Sequence, residues 1–402
     1  MASGTDWVTK WTRLREASRE RVPAEELPFP TEAQLDLVKA ALLSAEHAAP
    51  AWQRWKSRGL ELDTIRDTAS MRLFPQLWWN RQAAGIEGVE ETLLKGVYRH
   101  TIAHNAAILS NAFRATELLD NAGIPVLFFK GAALIALVDR LGLRRIDDAD
   151  ILVPEAYAAR AGTVLSSNGY IAQPDHRPLG FNHARGYRAA TGAPIDLHWW
   201  AYKSAGDDSV MFLDAERATL LGRRVLIPSA TECLISAIGH AFHVWGTPRL
   251  RWISDACVLL DAAEIDWDYL LSRANRRGLT LSLAAGLDFL AAEFGAQVPA
   301  SVIAELRRRP VSWAERGAYW AAVNRPLVGS MTLEQWDRYR ARRLHPEPSP
   351  ELPGDFLWHM ATVTKSERRD VLRRAPRTAL RSIALLAMRY GTGQLRPPKT
   401  WG

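Results

Sequence analysis

The chain has 402 residues, 48% hydrophobic and 24% charged, so it can bury two or three sizeable cores. Two cysteines, Cys233 and Cys257, both in apolar helical contexts, read as buried free thiols and exclude a disulfide framework. The formal charge of +7, from 51 Lys+Arg against 44 Asp+Glu, is spread along the chain and suits an anionic ligand or RNA.

Taken in order, the polar N-terminus MASGTDWVTKWTRLREASRER lacks the apolar centre of a signal peptide. No run of about 18 apolar residues exists, so no membrane span and no membrane partner are expected, and the cytoplasm is the expected compartment. Thr31 and Gln34 have capping-box spacing and open a helix striped by Leu35, Leu37, Val38, Ala41 and Leu42. Further helices are predicted over 51–57, 62–84 and 88–121, the last closing at Asn121-Ala122-Gly123. His100 and His104 lie one turn apart there, with no Cys or acidic residue nearby to make a ligand set, and read as packing residues.

Pro125–Phe129 is strand-like and ends in Lys130-Gly131; a helix follows over 131–141. A second strand is predicted over 147–153, and Pro154 opens a helix ending at Asn168-Gly169. Gly169-Tyr170-Ile171 reopens as a strand. FNHARGYRAATGAPIDLHWW reads as a hairpin turning at Thr191-Gly192-Ala193 and returning over Pro194–Trp199. From about 205 the signal is helical, with a helix from Pro228-Ser229 to Val244, another over 279–294, an Arg-rich region over 300–350 and a basic amphipathic tail.

The chemistry concentrates between 124 and 200. Side chains at i and i+2 leave one face of a strand, so Asp148 and Asp150 stand side by side while Ala149 and Ile151 enter the core. Adjacent carboxylates repel unless a cation lies between them, and Mg²⁺, which prefers oxygen ligands, is the usual solution. Asp147 points away by the same alternation. Asp196 is the natural third ligand, on a strand expected to neighbour the one carrying the pair; His198 shares its face. Two Mg²⁺ ions held by three carboxylates support nucleotidyl transfer. Lys130 and Gly131 sit where backbone N–H groups at a helix start receive phosphate, and Arg144, of like parity to the Asp pair, is a candidate for the β/γ phosphates. His198, His240 and His243 are candidate acceptor-side residues; Asp255 reads as a cap or an arginine's partner.

The ordered set Lys130-Gly131, Arg144, Asp148-Ala149-Asp150-Ile151-Leu152-Val153, Gly169-Tyr170 and Ile195-Asp196-Leu197-His198-Trp199 resembles the DNA-polymerase-β-type nucleotidyltransferase superfamily. It is closer to that superfamily's bacterial branch of "nucleotidyltransferase family proteins". His240, His243, Trp245, Trp252, Asp255 and Asp266-Trp267 also look like that branch, so the resemblance spans roughly 95 to 300. It implies an α+β fold: a small mixed sheet with the metal site on one edge, flanked by largely helical N- and C-terminal regions. The expected units are a helical region over 1–122, a catalytic core over 123–204, a helical acceptor-side domain over 205–300 and an Arg-rich helical region over 301–402. The implied activity moves an NMP group from an NTP such as ATP to a hydroxyl or phosphate of a small-molecule or peptide acceptor. Mg²⁺ (two ions, with Mn²⁺ as substitute) is the implied cofactor. An RNA 3′ end is the alternative acceptor, and a degenerate nucleotide-binding or toxin–antitoxin-type protein the alternative class. One departure stands out: Gly131 is followed by Ala132, where the superfamily's signature has Gly or Ser, and the Asp pair comes 17 residues later.

Overall fold

A computed structural model describes residues 28–175, 182–190, 192–202, 208–242 and 250–324, with the short stretches 335–336, 339, 343, 356–364 and 369–371. The polar N-terminus, Thr191, His243, the Pro-rich break near 350 and most of the basic tail lie outside the described residues.

The helices come first in the chain. Thr31 and Gln34 form the expected capping box at the start of Glu32–Leu42: each side chain accepts from the other's backbone N–H, at 3.3 and 3.0 Å. The following helix, Ala45–Ser57, starts earlier than expected and runs through Pro50. The stretch 62–84 is not one helix. It breaks into Leu62–Thr64, Thr68–Met71, Phe74–Trp79 and Arg81–Ala84. Asp67 caps the second piece, Pro75 lies at the start of the third, and Gly85 ends the fourth in the left-handed region; each is a local stop that overrides the helical periodicity. Val89–Asn121 is one 33-residue helix.

The sheet is small, mixed and five-stranded. Its strands are β1 (Leu127–Phe128), β2 (Ala149–Leu152), β3 (Tyr170–Ala172), β4 (Ala184–Ala189) and β5 (Pro194–His198), in the spatial order β1-β2-β5-β4-β3. Only β2 and β5 pair in parallel. β2 is two residues shorter at its start than expected, because Asp147 and Asp148 lie in a bend before it. All four of its side chains are buried, and a central strand covered on both faces needs that. With helices before and after the sheet among the described residues, the architecture is α+β.

One region departs from its helical expectation. β6 (Glu216–Leu220) and β7 (Arg223–Ile227) form a separate hairpin. Its two-residue turn, Leu221-Gly222, has φ of 50° and 75°. Two positive φ values suit the twist of a tight hairpin, but a leucine in the first of these positions hides the turn from sequence.

The helix Lys130–Val138 lies at the centre of the molecule. It packs on β2 and β6 and against the helices Ala230–Ala241 and Arg251–Ala262. The helical region after the sheet therefore reaches the sheet's first strand-to-helix junction.

Candidate active site

The parallel register of β2 and β5 sets Asp150 opposite Asp196 and Leu152 opposite His198. Two residues along β5 from Asp196, His198 points to the same face. The outcome is a cluster in which ligand atoms of Asp150, Asp196 and His198 all lie within 4.8 Å of one another. His198 Nε2 is 2.9 Å from Asp150 Oδ1 and 3.6 Å from Asp196 Oδ2. Lys130 enters from the start of its helix: Nζ donates to Asp150 Oδ1 at 2.6 Å and lies 3.2 Å from His198 Nε2. Lys130 has φ of 49°, a conformation that costs a non-glycine residue roughly 1 kcal/mol and tends to persist at functional sites. The ring of Phe129 closes the apolar side, edge-on to His198 at 6.0 Å.

These contacts separate the carboxylates electrostatically. Burial pushes the Asp150 carboxyl up, but the Lys130 ammonium and the His198 hydrogen bond outweigh it and hold the group well below the usual carboxylate range. Asp148 goes the other way. Burial, then the charges of Asp150 and Asp196, push it up to about 6, against a weaker pull from Lys130. For His198, burial and Lys130 favour the neutral ring, yet its hydrogen bonds to Asp150 and Asp196 hold its proton above the ordinary histidine value. Asp148, at the bend before β2, thus feels the charges of Asp150 and Asp196 with less relief from Lys130 than Asp150 has.

Two asparagines on the helix Val89–Asn121 hold the loops leading to the acidic strands. Asn105, fully buried, donates to the carbonyls of Leu141 and Arg144 at 2.7 Å and accepts from Ile146 N–H at 3.1 Å. Asn111 donates to the Ala193 carbonyl at 2.5 Å, just before β5, and accepts from Tyr170 Oη at 3.2 Å. His104 adds a contact of 2.9 Å to the Ile146 carbonyl, so it packs against the same loop.

Residues 64–295, more than half of the chain, match the model of the uncharacterised nucleotidyltransferase family. The chain belongs to this family. A comparison with curated proteins gives no match. Three solved structures are similar over parts of this chain. The lincosamide antibiotic adenylyltransferase LnuA, in its lincomycin-bound form, is 14% identical with a TM-score of 0.30, covering 38% of this chain and 97% of that one. The antibiotic-resistance factor ANT(2'')-Ia is 15% identical with a TM-score of 0.31, covering 46% and 94%. An antigenic nucleotidyltransferase-like protein from Paracoccidioides brasiliensis is 17% identical with a TM-score of 0.34, covering 49% and 95%. Family membership rests on the family match.

The remaining sequence-derived candidates of the nucleotidyltransferase fall in different places. Gly131 lies under the Arg144 guanidinium, and a Cβ there would overlap it, so glycine is required for that close approach. Arg144 Nε is paired with Asp255 Oδ2 at 2.9 Å, which makes Asp255 an arginine's partner. His240 lies in the last turn of Ala230–Ala241 and is outside the Asp150, Asp196 and His198 cluster; His243 lies outside the described residues. Sequence reasoning missed Asn105, Asn111 and Lys130's contact with Asp150. Two buried amides on an otherwise apolar helical face were the available signal for the first two.

Proposed function

We propose that the chain is a metal-dependent nucleotidyltransferase that moves an NMP group from an NTP to a hydroxyl or phosphate of a small-molecule or peptide acceptor. The observation that carries this reading is the β2–β5 register, which brings Asp150, Asp196 and His198 within 4.8 Å, with Asp148 two residues before Asp150 at the bend into β2. The donor set fits a divalent cation: carboxylate oxygens suit Mg²⁺ or Mn²⁺, and an ammonium already lies against Asp150. Asp148, Asp150 and Asp196 would hold the ions, which when bound supply charge neutralisation on the triphosphate and lower the acceptor's proton affinity. The acceptor oxygen forms a bond to the α-phosphorus, the α–β bridging bond breaks, and pyrophosphate leaves with its electron pair. Asp196, whose side chain is one-third exposed, is the most open of the cluster's ligands and takes the acceptor's proton. Asp150 stays ionised and, with His198, fixes the position of Lys130. Lys130, which now donates to Asp150, would be available to phosphate where a metal ion neutralised that carboxylate.

Titration calorimetry with ATP, CTP, GTP and UTP, with and without Mg²⁺, tests the reading. Metal-dependent binding of at least one NTP is expected, and no such binding to any of the four would sink it. Mass-shift screening of acceptors incubated with the four NTPs would then identify both the nucleotide moved and the acceptor class, with RNA oligomers as one arm.

A further inference from the structure

We infer that Arg72, Arg144, Arg145 and Arg251 form a binding site for the polyphosphate of a nucleotide, built from three separate parts of the chain. The inference deepens the nucleotidyl-transfer reading and rests on it for the identity of the ligand. Four guanidinium groups meet two carboxylates here. Asp147 takes Arg72 at 2.6 Å and Arg145 at 3.8 Å, and Asp255 takes Arg144 at 2.9 Å. Arg251 donates from Nη1 to the Arg145 carbonyl at 3.2 Å and has no carboxylate partner among the described residues.

The excess charge is badly placed for a purely structural role. Arg251 is half-buried and is the first residue of the helix Arg251–Ala262, where the helix dipole is also positive. Burial and the neighbouring charges of Arg144 and Arg72 push its ionisation down to about 9. Arg72 Nη1 is buried with no hydrogen-bond partner. Asp255 and Asp147 pull the other way on Arg251, yet two carboxylates shared by four guanidinium groups leave positive charge over, and an anion between these groups would offset it.

The location selects the anion. Arg144 lies over Gly131 at the start of the helix Lys130–Val138, and Asp147 directly precedes Asp148. The cluster therefore runs from the start of the helix Lys130–Val138 to the residue before Asp148, the two places where the transfer reading puts phosphate and metal. Guanidinium forks match phosphate oxygens in pairs, which a lone surface lysine does not. The arginines also supply donors that Ala132 cannot, since it has no hydroxyl. Arg72 comes from the helical region before the sheet and Arg251 from the one after it, so both flanks take part in holding the ligand.

The test uses the full-length protein, inorganic tripolyphosphate without metal, calorimetry and thermal melting at constant ionic strength. Wild-type protein should bind tripolyphosphate, and more tightly than orthophosphate. Arg251→Met should melt at the same or a higher temperature without ligand, because an unpaired charge is gone. It should lose tripolyphosphate affinity by about fivefold or more, with Arg251→Lys intermediate. No binding to the wild type, or a loss below that level in Arg251→Met, would overturn the site. If Arg251→Met does not fold, Arg72→Gln is read by the same affinity criterion. Arginine-dependent tripolyphosphate binding without NTP turnover over the acceptor screen would fault the transfer reading and leave this site standing. NTP turnover with arginine-independent binding would do the reverse.

Discussion

At the scale of single residues, the acidic cluster gives each carboxylate a different state through its neighbours. Asp150 has Lys130 at 2.6 Å and His198 at 2.9 Å, whereas Asp148 has no hydrogen bond or ion pair to a described residue and receives the repulsion of Asp150 and Asp196. The sign of the consequence follows. Asp148 binds its proton more tightly folded than unfolded, so it costs no stability below about pH 4 and its full cost above about pH 6. In chelator-treated protein, Asp148→Asn should raise stability by about 1–2 kcal/mol at pH 7 and change it little at pH 3.5. Urea midpoints at the two pH values check this, and an equal effect at both would contradict the assignment. The two aspartates and their period-two spacing were legible in the sequence. Lys130's reach back to Asp150 was not, because a positive φ at a lysine has no signature in composition or periodicity.

At the scale of elements, the helix Val89–Asn121 acts as a ruler. Asn105 and Asn111 are six residues apart in number, and they fasten the loop before β2 and the turn before β5. Register between two strands is set by pairing, but where each strand starts relative to the other depends on such anchors. Asn105→Ala leaves two carbonyls and an N–H without their partner. It should cost about 1–3 kcal/mol, read by chemical denaturation, and should also weaken Mn²⁺ binding by calorimetry, because the loop before Asp148 loses its fixed geometry. Unchanged Mn²⁺ affinity in a destabilised protein would show that the loop keeps its place without the amide. Element ends in this chain were legible where the signal is local, as at the Thr31 capping box. They were hidden where a residue defies its usual conformation, as at Leu221, or where Pro and Asp fragment a periodic run, as over 62–84.

At the scale of the whole molecule, the segment before the first helix is tied to the helices after the sheet. The Pro28 carbonyl accepts from Trp252 Nε1 at 2.7 Å, and Phe29 packs on Phe242, Trp252 and Phe289 with ring centroids 5.6, 6.4 and 5.3 Å away. Trp252 directly follows Arg251, so this clasp also fixes where the arginine cluster closes. Phe29→Ala should cost about 2–4 kcal/mol, seen as a lower denaturant midpoint. Loss of a single unfolding transition in this variant would show that the helices joined by Phe29 melt apart from the sheet. Among the described residues no helix is long and apolar enough to cross a membrane.

By itself the sequence determined the candidate site residues and their order: Lys130-Gly131, Arg144, Asp148, Asp150, Asp196 and His198. It also determined those helices whose period and caps are local properties of the chain, and, through the family resemblance these residues carry, the α+β class. Only the tertiary structure decided which of these groups meet. Parallel pairing of β2 with β5 is a contact between residues 46 positions apart, and no local pattern encodes it. The same holds for Arg144, a phosphate candidate in sequence, and for Arg72 and Arg251, which no motif marks. They form one cluster only because Arg72, from the helical region before the sheet, pairs with Asp147, while the helix Arg251–Ala262 packs against Lys130–Val138.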